Sequence, residues 1–353
     1  MQPVERTVLW SPTKDRVSGA QLTHFADLAR TRFGVEDADL HRWSVESPEQ
    51  FWALVWEFCG VRGERGERVY VAPTSALEPS TARFFPDARL SVVENLLART
   101  GTNEALVAID ELGTRRARSW DELSSRVASL AGALRVSGVR SGDRVAAWLP
   151  NSLEVVEVML AAASIGAVFS SASPDFGASG VIDRFGQIEP VVLFAVDGYC
   201  YNGTDFDCLE RLAEIRAGLP TITTTVLVRA TKSSNAPKGV IDYEEFLAAG
   251  AKAPARPERF AFDHPWYVLY SSGTTGVPKC IVHRTGGVLI QHVKEHRLHC
   301  DMREGDRVLY FTTTGWMMWN WLVSVLASGA TAVLYDGSPT SPKVLSLFEV
   351  VDR

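Results

Sequence analysis

Hydrophobic and polar positions follow two different rhythms along this chain. In the first stretch the apolar residues recur at helical spacing. SPEQFWALVWEFCG (47–60) puts Phe51, Trp52, Val55, Trp56 and Phe58 on one broad face. Ser47 is placed as its N-cap, Pro48 occupies the first helical position, and Gln50 is spaced to close a capping box. So apolar a face needs a partner, so this helix is expected to pack on a larger body. RGERGER (62–68) reads as a polar connector. Residues 1–98 are therefore expected to form a helical lead-in.

From residue 104 the runs shorten and become strand-like. EALVAIDELGTRRARSW alternates around a Leu-Gly turn, as a hairpin does. RVAAWL (144–149), AVFSSA (167–172), VVLFAV (191–196), TTTVLVRA (223–230), YVLYSS (267–272), RVLYFTT (307–313) and TAVLYD (331–336) read as further strands. Helices fall between them: one capped by Asn151 or Ser152 and running to Gly166, another over GVIDRFGQI (180–188). Strands alternating with helices predict an α/β fold over 99–353, with mostly parallel sheets and helices on both faces. TKSSNAPKG (231–239) is expected to be an exposed loop. The final LFEVVDR reads as a helix inside an unfinished second α/β subdomain, so the chain is expected to be the N-terminal portion of a longer protein.

Composition narrows the partners. The 353 residues are 46% apolar and 22% charged, as in soluble globular proteins, and long enough for two domains. A net charge of −6 argues against nucleic acid or an anionic membrane as the main partner. Any polyanion must then be caught by a local site. The five cysteines (Cys59, Cys200, Cys208, Cys280, Cys300) form no CxxC pair, so neither a disulfide framework nor a zinc ribbon is indicated. A reducing, cytoplasmic compartment follows from that usage. No apolar signal region opens the chain, and no run of 18 apolar residues is long enough to span a membrane.

The chemistry concentrates at YSSGTTGVPKC (270–280). Gly273 and Gly276 let the backbone turn tightly so that its amides converge on an anion. Ser271, Ser272, Thr274 and Thr275 add hydroxyl donors, and Lys279 adds a cation. Together these are the parts of a triphosphate cradle, placed after a strand and leading into a helical stretch containing GGVLIQHVKEHRL. The pattern is not a Walker A loop, because Pro278 precedes the lysine and Cys280 follows it. No GxGxxG occurs. A second constellation, HVKEH (292–296), matches the HxxEH zinc-protease pattern, with His299 and Cys300 nearby. It reads either as a pair of zinc ligands, His292 and His296, or as the polar face of an ordinary helix.

YSSGTTGVPK closely resembles the phosphate-binding signature of the acyl-adenylate-forming superfamily. WSVES (43–47), LPNSLE (149–154), SIGAVFSSASPDFG (164–177), CIVHRTGG (280–287), GWMMWNW (315–321) and LYDGSP (334–339) extend the likeness over nearly the whole chain. They resemble its acetoacetate–CoA ligase branch. The resemblance implies the large N-terminal domain of such a ligase, incomplete here, with ATP, CoA and Mg²⁺ as cofactors and acetoacetate as substrate. It implies that residues 271–279 wrap the ATP phosphates, with Lys279 catalytic, and that Trp316, Met317 and Met318 line the acyl pocket. The alternative for GWMMWNWLVSVL is a core helix that is aromatic because it is buried. Asp175 and Phe176 are candidate substrate or CoA contacts, with an Asx turn the alternative at Asp175. Acetyl-CoA synthetases carry an arginine pair after the strand equivalent to 191–196. Here that place reads DGYCYNGTD, so CoA is expected to be held otherwise, or by Tyr199, Tyr201 and Asn202. The adenine, ribose and lid residues of the family lie beyond residue 353, so this chain alone is not expected to turn over. A non-catalytic nucleotide-binding protein is the other reading.

Overall fold

The structure is a computed structural model that describes residues 8–231, 237–271, 276, 278–340 and 347–352. Among these, the longer strands are β1 (Glu104–Asp110), β2 (Arg115–Ser119), β3 (Arg144–Trp148), β4 (Val168–Ala172), β5 (Val192–Val196) and β6 (Thr224–Val228). They are followed by β7 (Ile241–Asp242), β8 (Pro265–Tyr270), β9 (Cys280–Arg284), β10 (Arg307–Leu309) and β11 (Thr331–Asp336). The predicted hairpin is β1–β2. Asp110 Oδ1 accepts the amides of Leu112 and Thr114 at 3.0 and 2.8 Å, and Gly113 takes φ +86° to close the turn.

Two sheets result. The larger runs β7–β6–β5–β3–β4–β8–β9, and every neighbouring pair is parallel except β8–β9. The smaller runs β10–β11–β1–β2, with only β1–β2 antiparallel. The predicted α/β class with mostly parallel sheets is thus the observed one. From β3 the chain crosses to β4 on one side and then to β5 on the other. The strand order therefore reverses between β3 and β5, the place where open α/β sheets receive ligands at their C-terminal ends.

The helix Leu153–Ser164 is buried at all twelve positions and contacts strands of both sheets. Its sequence LEVVEVMLAAAS explains this, since it is apolar all round apart from Glu154, Glu157 and the terminal Ser164. Both carboxylates are paired: Glu154 with Arg116 at 2.6 Å, and Glu157 with Arg118 and Arg126 at 2.8 and 2.9 Å. Tyr243 Oη also donates to Glu157 at 2.6 Å. Buried carboxylates are tolerated only with such partners, and removing one partner typically costs about 3–5 kcal/mol.

The lead-in shares one continuous core with this body, running from Phe25, Trp43 and Leu54 through Leu90 and Val92 to β3 and β4. The expected helix 47–60 is observed at Pro48–Phe58, and it does pack on the larger body. Its capping box does not form, because Ser47 also ends the preceding helix Leu40–Glu46 and is held at φ −126°, ψ 58°. Gln50 instead accepts the Trp43 indole N–H at 3.0 Å. Strand β10 stops at Leu309, short of the predicted 313; beyond it Thr312 and Thr314 bond to Asn151 and Leu149, which follow β3. Of the loop expected at 231–239, residues 232–236 lie outside the described residues. No described helix is long and apolar enough to cross a membrane.

Candidate active site

The loop 271–279 joins β8 to β9, so a strand and not a helix follows it; the helix Thr285–Lys294 begins only after β9. Tyr270 pairs with Cys280 and Leu269 with Ile281, and the β-branched Ile281 and Val282 favour that extended pairing. The loop's capacity for an anion therefore rests on its own amides, its hydroxyls and Lys279, not on a helix N-terminus. The stem is closed twice: the Ser271 amide donates to the Lys279 carbonyl at 3.0 Å, and the Lys279 amide to Ser271 Oγ at 3.4 Å. Gln187 adds a strut by donating to the Pro278 carbonyl at 2.9 Å. Gly276 is exposed at φ +130°, a conformation that excludes other residues even though nothing would crowd a Cβ there. Lys279 is exposed and has no ion-pair partner among the described residues. Ser272, Gly273, Thr274 and Thr275 lie outside the described residues.

Three further segments meet at the C-terminal ends of the parallel strands. Ser171, on β4, donates to the Thr314 carbonyl at 2.7 Å, and Thr314 Oγ1 donates to the Leu149 carbonyl at 2.9 Å. Asn151 donates to the carbonyls of Tyr335 and Thr312 at 3.1 and 3.4 Å and accepts the Trp319 indole N–H at 2.9 Å. The segment 312–319 is thereby pinned between the two sheets. Trp316 is 64% exposed and Met317 45%, Met318 is half-buried, and Trp319 and Asn320 are buried. The core-helix reading thus holds from Trp319 onward and fails for Trp316 and Met317. Phe176 lies beneath the Arg184 guanidinium at 4.4 Å, and a Cβ at Gly315 would sit 3.1 Å from its ring. The glycine of GWMMW and the phenylalanine of SPDFG are therefore in direct apposition. Asp175 is exposed, and its carboxylate accepts no hydrogen bond among the described residues, so no Asx turn forms there.

The arginine-free segment after β5 folds as its own hairpin, Gly198–Tyr201 against Thr204–Asp207. Tyr199 stacks on Phe206 at 5.0 Å, Tyr201 is exposed, and Asn202 holds the tip at φ +54°. Glu111 fixes this hairpin. It accepts the amides of Gly203 at 2.7 Å, Asn202 at 2.9 Å and Ser338 at 2.9 Å, and the Cys200 thiol at 3.3 Å. Burial pushes its carboxyl up, but these donors outweigh it and hold Glu111 below the ordinary carboxylate range. A cation does reach the place, from the next helix. Arg211 stands 5.9 Å from the Tyr199 ring and 5.4 Å from Trp148, and donates to the Pro174 carbonyl at 3.0 Å. Beside it, burial and then the carboxylates of Glu111, Asp110 and Asp175 push Asp336 up to about 6, against the Asn151 amide that donates to it at 3.3 Å.

The HxxEH pair is not presented to solvent or to a third ligand. His292 hydrogen-bonds Ser324 Oγ at 2.9 Å, and His296 packs fully buried against Trp321 at 4.6 Å. Burial holds the two rings down to about 3 and about 4, so both are neutral. Glu295 pairs with Lys294 at 2.8 Å. Among the described residues no three His, Cys, Asp or Glu side chains are grouped to hold a metal.

Glu111, Arg211 and Asp336 escaped the sequence reading, and Asn151 entered it only as a candidate helix cap. Each acts on partners far away in sequence, and only the short LPNS and LYDGSP motifs touched two of them.

The sequence profile of the family described as AMP-binding enzyme matches residues 93–353. The chain is 47% identical over 346 residues to an acetoacetyl-coenzyme A synthetase of Rhizobium meliloti (strain 1021), covering 97% of this chain and 53% of that protein. It is 43% identical over 365 residues to the acetoacetyl-CoA synthetase of Danio rerio, covering 99% and 54%. The solved acetoacetyl-CoA synthetase from Streptomyces lividans superposes with a TM-score of 0.87 at 44% identity, over 96% of this chain and 52% of that one. The chain thus spans about half the length of the curated relatives it matches.

Proposed function

The chain belongs to the AMP-binding enzyme family, and on that premise we propose that it supplies the phosphate loop and acyl-pocket wall of an acetoacetate–CoA ligase. The whole protein would join acetoacetate to CoA in two steps. The carboxylate attacks the α-phosphorus of ATP and expels pyrophosphate, giving acetoacetyl-adenylate. The CoA thiol then attacks the acyl carbon and expels AMP. Within the chain, residues 1–98 serve as the lead-in and 99–353 as the ligase domain, at work in the cytoplasm.

One observation carries the reading. The loop 271–279 is clamped at its stem, yet Lys279 is exposed with its ammonium free of any carboxylate among the described residues. A cation so placed can neutralise the β- and γ-phosphates of MgATP while the loop's amides and hydroxyls grip them. Two anions must approach each other in the first step, so charge neutralisation is what the site most needs to provide. Trp316 and Met317, outward beside the Asp175–Phe176 loop, suit an apolar wall for a short acyl group. Met318 completes that wall. Asp175, Phe176, Tyr199, Tyr201 and Asn202 surround the strand-order reversal, and there Arg211 offers a cation to the phosphates of CoA.

The test is MgATP binding by the 353-residue chain, followed by acetoacetate-dependent ATP–pyrophosphate exchange, with the full-length Streptomyces lividans relative as reference. The expected result is Lys279-dependent nucleotide binding by the chain, with exchange confined to the full-length enzyme. Failure to bind MgATP would remove the reading. Exchange by the isolated chain at full-length rates would show that it needs nothing further.

A further inference from the structure

We infer that the chain carries a second anion site, remote from the phosphate loop, built to take a phosphate monoester dianion between the lead-in and the body. The site is a cavity of about 460 Å³. Four arginines line it, Arg62, Arg99, Arg297 and Arg303, against one carboxylate, Glu304. Arg99 pairs with Glu304, and Arg303 pairs with Asp301 at 3.0 Å. Arg62 and Arg297 have no carboxylate partner among the described residues; Arg297 is half-buried and reaches only the Ala327 carbonyl, at 3.4 Å.

Two arginines without carboxylate partners in the lining of one cavity leave it electropositive, and Arg297 is half-buried besides, so a doubly charged anion is favoured there. Phosphate monoesters carry about −1.5 to −2 near pH 7 and accept bidentate bonds from arginine. The cavity exceeds what a bare phosphate fills and suits a small organic phosphate.

The walls are set in advance. Asn95, 6% exposed, fixes the main chain of Arg62 on both sides, accepting its amide at 2.7 Å and donating to its carbonyl at 2.9 Å. Gly329, at φ +76°, leaves room for Arg99; a Cβ there would lie 2.6 Å from its Nε. The cavity is not a branch of the candidate active site. Gly329 precedes the first residue of β11, whereas Asp336 and Ser338 lie at its other end, roughly 17–20 Å away for a strand of this length. Arg62 comes from the segment following Pro48–Phe58 and Arg297 from the π-helix Glu295–His299 that continues Thr285–Lys294, so a bound anion would tie the lead-in to the body.

The test measures binding of inorganic phosphate and of glucose 6-phosphate to the 353-residue chain by equilibrium dialysis, with melting followed in parallel. The variants are Arg297→Gln, Arg62→Gln and Lys279→Ala. Saturable binding that persists in Lys279→Ala and is weakened about tenfold or more by either arginine change is expected. The phosphate-induced rise in melting temperature should vanish with the binding. Tighter binding of the sugar phosphate assigns the site to an organic phosphate, and equal binding assigns it to the free ion. Arg62 is exposed, so its variant folds whether or not Arg297→Gln does. Absence of saturable binding up to about 10 mM, or binding that falls with Lys279→Ala and not with the arginine changes, overturns the inference.

Discussion

Trp319 donates its indole N–H to Asn151 Oδ1 at 2.9 Å, and both residues are buried, at 0% and 3% exposure. Asn151 sits just after β3, and Trp319 begins the buried part of the helix Met317–Val323. The same amide group holds the Tyr335 carbonyl at the end of β11. One side chain therefore fixes the large sheet, the small sheet and the segment 312–319 against one another. Asn151→Ala leaves a buried indole N–H without its acceptor and takes one donor from each of two carbonyls, and should cost about 2–4 kcal/mol. Urea denaturation of the chain checks this. A loss below about 0.5 kcal/mol would mean that water replaces the amide and that the segment is held by packing alone.

Asp336 gives a pH signature of the opposite sense to the partnered carboxylates Glu111 and Glu154. Its folded value is raised to about 6, against an ordinary value near 4 in the unfolded chain. Between these values folding takes up a proton, so the contribution is fully present below about pH 4 and is lost as pH rises through 6. Asp336→Asn keeps an acceptor for the Asn151 amide and removes the charge. The variant should exceed the wild type by roughly 1–3 kcal/mol at pH 7.5 and match it near pH 4, by urea denaturation at the two pH values. An equal difference at both would rule out ionisation as the cause.

The contrast between what local pattern revealed and what it hid has a physical origin. Strands such as RVAAW and VLFAV were legible because a parallel strand is buried on both faces and reads as an unbroken apolar run. CIVHR was missed because it is an edge strand of five residues, with Ile281 and Val282 about half exposed, wedged between a glycine-rich loop and a Gly-Gly pair. The phosphate loop was legible because its function lies in contiguous residues. Asn151 was read only as a helix cap because the carbonyls it holds lie 161 and 184 residues away. Glu111 likewise binds amides 92 and 227 positions distant. No spacing rule reports such contacts; they exist only once both sheets have formed.

Trp316 separates a pocket role from a packing role. At 64% exposure it contributes little to the core, so Trp316→Ala should change stability by no more than about 1 kcal/mol. If it walls the acyl site, the same change in the whole protein should raise KM for acetoacetate about tenfold and leave KM for MgATP unchanged. Parallel changes in both constants would place the residue outside the acyl pocket.

Lys279 allows the sharpest separation of binding from folding. Its ammonium has no partner to lose among the described residues, and its backbone bonds to Ser271 survive any side chain. Lys279→Ala should therefore leave the denaturation midpoint of the chain within about 0.5 kcal/mol of wild type. A charge-assisted bond to phosphate is worth about 1.5–3 kcal/mol, so MgATP binding should weaken roughly ten- to a hundredfold by calorimetry. The loss should shrink at high salt, because the contact is solvent-accessible and screened. Lys279→Arg keeps the charge but spreads it over a planar fork, and should recover part of the affinity. Unchanged MgATP affinity in Lys279→Ala would show that the loop grips phosphate through amides and hydroxyls alone, and that the lysine acts elsewhere in the reaction.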